Sequence, residues 1–157
     1  MLVAAAVCPA PPLLVPEVAA GAAVELDDAR TACSDALAVL AASRPDLLVV
    51  VGAADEDEAG PYPPGSEGDF RAFGLGPGDG PEVRLGEGPR RRRPLPPPLA
   101  VGAWLLGRAR WGSAPSRASA SRGPARRPTA WPPAGSWRPA TRASPCSSWA
   151  TAAPAGP

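Results

Sequence analysis

An α/β fold is what this sequence predicts, with an N-terminal βαβ unit belonging to a parallel or mixed sheet, and three observations carry the prediction. Two short apolar runs, "LVAAAV" at residues 2–7 and "LLVVV" at residues 47–51, flank a stretch whose apolar residues recur every three or four positions. Uniform apolar runs of that length are the pattern of strands buried on both faces, and the intervening spacing is that of one helix face. From Gly107 to Pro157 there is no Leu, Ile, Val, Phe or Met, so the predicted sheet is incomplete and the chain divides into an α/β domain at 1–109 and a largely disordered tail at 110–157.

The elements follow in order. The first strand is closed by Pro9, Pro11 and Pro12, which forces a loop. A helix is expected over 23–43, with Leu26, Ala29, Cys33, Leu37 and Leu40 on its apolar face. Glu25, Asp27 and Asp28 then fall in its first turns, where the helix dipole favours acids. After Arg44, Pro45 and Asp46 comes the second strand, stopped by Gly52. A right-handed crossover would pair the two strands directly and in parallel, with the helix across one face. Residues 53–98, rich in Gly, Pro and acid, read as a long irregular segment. The last expected element is a helix at 99–109, "LAVGAWLLGRA", carrying Leu99, Trp104, Leu105 and Leu106.

Both predicted strands deliver their C-terminal ends to one edge of the sheet, and ligands in open α/β sheets bind at that edge. The candidate pocket-edge residues are therefore Cys8, Pro9 and Ala10 from "CPAPP" and Gly52 and Asp55 from "GAADEDE".

Composition narrows the function classes. The 24 Pro and 17 Gly make up more than a quarter of the 157 residues, a level typical of low-complexity sequence. The net charge of +1 conceals a split, because all 15 acids lie at or before Glu87 with four arginines, and twelve arginines follow. Such asymmetry is the usual mark of a basic tail that binds polyanions. The chain also lacks Lys, Ile, Asn, Gln and His altogether, which points to a GC-rich coding sequence as the source of much of the Arg and Pro bias. Nucleic acid is accordingly not an expected partner.

Cys8, Cys33 and Cys146 are odd in number and show no CxxC spacing, so neither a disulfide framework nor a zinc site is expected. The N-terminus has no basic region and its apolar run is interrupted by prolines, unlike a secretory signal, and Val7 precedes Cys8 where a lipoprotein needs a small residue. No run approaches about 18 apolar residues, so no membrane span is expected and the reading is cytoplasmic.

The remaining motifs have plain readings. "FGLGPGDG" lacks both the Walker lysine and a following helix pattern, so it is a loop rather than a phosphate cradle. "RRRRPLPPPL" carries RxxPxxP spacing in Arg91, Pro94 and Pro97, but reads as a solvated linker. Asp55, Glu56, Asp57 and Glu58 are consecutive, so their carboxylates diverge and form a solvated loop rather than a cation site. With no histidine, Ser-His-Asp and Cys-His catalysis are excluded.

"MLVAAAVCPAPPLLVPEV", followed by "LLVVVG" and later "LAVGAWLLGRA", resembles actinobacterial proteins similar to the B-type subunits of the class III extradiol ring-cleavage dioxygenases, over residues 1–109. The resemblance implies an α/β fold whose catalytic members hold non-haem Fe(II) through two histidines and a carboxylate, with open positions for a catechol and dioxygen. In that family a His-Pro ligand motif follows the first strand, and the matching position here is Ala10. A second family histidine follows the next strand, where this chain has "GAADEDE". Both imidazoles are absent, so no catalytic residue, no metal ligand and no cofactor are expected, and ring cleavage is not expected either. A small aromatic molecule is the ligand class the resemblance implies. Two other readings stay open, a non-catalytic binding or scaffold protein on the same fold and a disordered basic tail for polyanions.

The tail suggests a further reading. Writing residues 130–156 with GC-rich codons and starting each triplet one nucleotide earlier gives "LAAGRELAARDPGLALLVMGDGSARR", which has a helix pattern, a buried-strand pattern and a Gly-rich turn. Trp codons preceded by C become leucine codons in that register, which accounts for Trp131 and Trp137 in a segment poor in other large residues. The stretch beyond about residue 110 is therefore expected to be a frameshift product.

Overall fold

Alternation along the second strand organises the core. In β2, Leu47–Ala54, Leu48, Val50 and Gly52 are buried while their neighbours are only half-buried, so one face of this strand meets the interior. The protein is described by a computed structural model covering residues 1–91, 93–109, 111, 115–122 and 149–153. Its architecture mixes helices with parallel and antiparallel strand pairs.

The chain opens with β1, Ala4–Ala6, then a 3-10 turn at Pro12–Leu14, the short α1 at Pro16–Ala19 and a 3-10 segment at Ala20–Leu26. Helix α2 follows at Asp27–Ala42, then β2, β3 at Gly60–Tyr62, β4 at Ser66–Gly68 and β5 at Val83–Leu85. Helix α3 spans Pro97–Arg108, started by prolines that suit a first helical turn. It is followed by β6, Ser116–Arg122, and β7, Trp149–Ala153. The larger sheet has the order β1-β7-β2-β6-β3, and β4 pairs with β5 separately.

The expected direct pairing of the first two strands is not observed. β7 lies between them, antiparallel to β1 through Ala5 and Thr151 and antiparallel to β2 through Val49 and Thr151. β1 and β2 therefore point the same way without touching through hydrogen bonds. The other side of β2 is taken by β6 in parallel register, Leu48 opposite Ser116 and Ala54 opposite Arg122. Of the expected irregular tail over 110–157, residues 116–122 and 149–153 form β6 and β7, and most of the rest lies outside the described residues. Sheet pairing is made by backbone N–H and C=O groups, so segments built largely of Ala, Ser, Thr and Arg can join a ladder.

Helices α2 and α3 cover one face of the sheet. Cys33, Leu37 and Leu40 of α2 are buried, as the spacing predicted. α3 approaches β2 so closely that a Cβ on Gly102 would sit 3.0 Å from Val50 Cγ1. Gly52 has the same role from the strand side, where a Cβ would meet Leu99 Cδ2 at 2.9 Å. It therefore does not stop the strand, which continues to Ala54. β1 differs from expectation as well, because Val3, Ala5 and Val7 are exposed and only Ala6 is buried, so it is an edge strand covered on one face.

The segment 53–98 is more structured than its composition indicated. It contains β3, β4 and β5 and sends Tyr62, Phe70, Val83, Leu85 and Leu95 into the main core cluster. Among the described residues, no helix is long and apolar enough to cross a membrane.

Candidate functional site

At the C-terminal end of β1 the chain turns through Cys8, Pro9 and Ala10, and these three residues line a cavity with Leu37 of α2, Val50 of β2 and Leu105 of α3. The prolines in this turn remove backbone donors, and the facing positions are aliphatic. The result is an almost wholly apolar space of about 40 Å³. That is room for water-sized occupants, well below the roughly 300 to 1,000 Å³ typical of small-molecule sites.

Of the five pocket-edge candidates, the structure brings Cys8, Pro9 and Ala10 together and leaves two elsewhere. Gly52 is buried beneath Pro98 and Leu99, where the close approach of α3 leaves no space beside it. Asp55 is exposed beyond the end of β2, in a turn where its carbonyl accepts a hydrogen bond from the Glu58 N–H at 3.1 Å. Asp55, Glu56 and Asp57 are all exposed, which is the solvated loop that consecutive carboxylates predicted.

The donor set does not fit iron. Ala10 has no side-chain donor atom, Pro9 has none either, and the one side-chain heteroatom among the cavity's lining residues is the Cys8 sulfur. Among the described residues, no three His, Cys, Asp or Glu side chains cluster as metal ligands would. An extradiol centre needs imidazole nitrogens and a carboxylate facing one open space. Here the nearest acidic run points into solvent.

Cys8 and Cys33 are the pair that sequence reasoning missed. They sit on different elements, Cys8 on the wall of the cavity and Cys33 on the buried face of α2. Cys33 is buried in the core and Cys8 is packed against it, half-buried. Burial, reinforced by the neighbouring Cys33, pushes the Cys8 thiol up to about 11. Burial also raises Cys33, while the neighbouring Cys8 acts in the opposite direction. Spacing alone offered no signal that the two lie near one another, since that depends on how the loop after β1 folds back over α2.

The arginine run is also more engaged than a linker would be. Arg93 stacks 4.4 Å from the centre of the Tyr62 ring and donates to the carbonyls of Ala59 at 3.1 Å and Asp57 at 3.3 Å. Arg90 pairs with Glu67 at 3.2 Å. A larger cleft of about 430 Å³ is lined by Arg84, Glu87, Leu106, Trp111 and Pro115. Two of its walls, Trp111 and Pro115, are joined by residues 112–114, which lie outside the described residues.

No family model matches the chain, and neither a curated protein nor a solved structure shows significant similarity to it.

Proposed function

We propose that this chain is a non-catalytic protein built on a scaffold like the B-type subunits of the class III extradiol dioxygenases, holding no iron and cleaving no ring. The observation that carries the reading is Ala10, which stands where the family places its first ligand and lines an apolar cavity of about 40 Å³. Such a cavity offers hydrophobic packing and no anchoring for a metal or for catechol hydroxyls. A scaffold role follows, with the turn at Cys8, Pro9 and Ala10 serving to close the core over α2 and α3. Anaerobic dialysis against Fe(II) followed by metal analysis tests it, and less than a tenth of an iron per chain is the expected result. Stoichiometric retention of iron would overturn it.

A second reading, binding of a small aromatic molecule, is favoured by the apolar lining and opposed by the cavity's size. A thermal-shift titration with phenol and catechol separates the two, because a scaffold shows no saturable shift. For polyanion binding, the third reading, Arg90 and Arg93 are exposed but already make contacts within the chain, and much of the basic tail lies outside the described residues.

The resemblance ends near residue 109, and we infer that the stretch beyond it is translated from a shifted frame. Resequencing across codons 105–115 should find one or two nucleotides gained or lost. A confirmed frame shared by relatives that carry the same Arg, Pro and Trp pattern would contradict the inference.

A further inference from the structure

The two outer strands of the larger sheet are finished differently. β3 carries Pro61, which has no N–H to offer a neighbour, and beside it Arg93 stacks on Tyr62 and donates to the carbonyls of Asp57 and Ala59. Proline and charge are the usual guards of a sheet edge against another chain. β1, at the other edge, has neither. Among the described residues it pairs with β7 alone, which leaves the backbone groups of its outer side without a ladder. No charged side chain occurs before Glu17. Leu2, Val3 and Val7 are 57%, 43% and 48% exposed, whereas Ala4 and Ala6 pack on the core.

The sequence of this edge is a palindrome. Residues 3–7 read Val-Ala-Ala-Ala-Val in either direction, with Ala5 at the centre. Val3, Ala5 and Val7, all exposed, share one face by strand alternation. Two copies laid antiparallel about Ala5 set Val3 of each against Val7 of the other and keep alanine opposite alanine, and Pro9 ends the ladder. We propose that β1 is the contact between two copies of this chain, an antiparallel β1–β1 pairing about a two-fold axis at Ala5 that joins their larger sheets into one. Such a contact closes on itself and gives a dimer rather than a filament. The net charge of +1 gives the copies little mutual repulsion. A ladder of about seven residues a side buries less than the roughly 1,200 Å² of a standard interface, so the dimer is weak and forms between micromolar and millimolar concentration.

Sedimentation equilibrium of the intact, reduced chain from roughly 10 μM to roughly 1 mM tests it, and the mean mass should climb from that of one chain towards that of two. Hydrogen exchange at the two ends of that range should show residues 2–8 protected several-fold more at the higher concentration. Val7→Lys, a change at an exposed position, should weaken association about tenfold. Adding Val3→Glu should restore it to within a few-fold of the unmutated chain, because each introduced lysine then faces the introduced glutamate of the other copy. Within one chain the two positions lie about 13 Å apart, too far to pair. A mean mass that stays at one chain, unchanged exchange in residues 2–8, association that Val7→Lys leaves intact, or a double variant that fails to regain it would each overturn the proposal. Exchange on the unmutated chain decides the matter even where a variant fails to fold.

Discussion

Arg30 is a charged side chain inside the structure, and its acceptors explain why it is tolerated there. Its guanidinium donates to the Leu14 carbonyl at 3.0 Å and to the Asp27 carboxylate at 2.8 Å, and also reaches the Ala23 carbonyl. These bonds tie the irregular segment 12–26 to α2, and they leave few of its donors unsatisfied. Arg30→Ala strands two carbonyls in a partly buried setting, and chemical denaturation should show a loss of about 1 to 3 kcal/mol. A loss below about 0.5 kcal/mol, the range of ordinary surface substitutions, would contradict this role. The Asp27 and Arg30 contact is an i, i+3 pair, but the Leu14 carbonyl comes from a segment with no periodic pattern, so the burial of Arg30 was not readable. Cys8 carries a pH consequence at the same scale. Its thiol is raised from 9.0 to about 11 in the folded chain, so the unfolded chain ionises first. The contribution is fully present below pH 9 and is lost as the pH rises through about 11. Urea midpoints measured under reducing conditions should therefore fall from pH 8.5 to pH 11, and less steeply in Cys8→Ala.

Among the elements, those with large side chains were readable and those with small ones were not. The α2 face of Cys33, Leu37 and Leu40, the β2 run and the α3 helix all follow from apolar periodicity. β6 has a period of two as well, with Ser116, Ala118 and Ala120 buried, but small side chains give that alternation little hydrophobic contrast. Gly52 was misread for a related reason. Glycine in an apolar run signals either an end or a close approach, and only the position of α3 decides between them. Here the approach is close, with Leu99 Cδ2 at 2.9 Å and Pro98 Cβ at 3.2 Å from the place a Cβ would take. Gly52→Ala should therefore lower stability by about 1 to 3 kcal/mol, the usual cost of overpacking a filled core. Denaturant midpoints check it, and an unchanged midpoint would mean that α3 shifts freely over β2.

At the scale of the whole molecule, β2 is flanked on both sides by strands from beyond residue 110, and β1 enters the larger sheet through β7. The expected mix of helices and strands is present, but the βαβ unit is not, because β7 separates the two strands and a tail without core-forming residues had offered nothing to place there. Cys8, Pro9 and Ala10 line a cavity, whereas Gly52 and Asp55, expected at the same edge, do not. The cavity's size was not readable, because that depends on how α3 packs. The central claim, proposed above, is that this edge, with no side-chain donor on Pro9 or Ala10 and a thiol as its one side-chain heteroatom, supports no iron chemistry. The direct measurement is to load the intact chain with Fe(II) under anaerobic conditions, add catechol, admit oxygen and follow absorbance in the visible range. The account predicts no yellow ring-fission product above a protein-free control, for this chain and equally for Ala10→His; a catalytic yield of that product from the unmutated chain would contradict it.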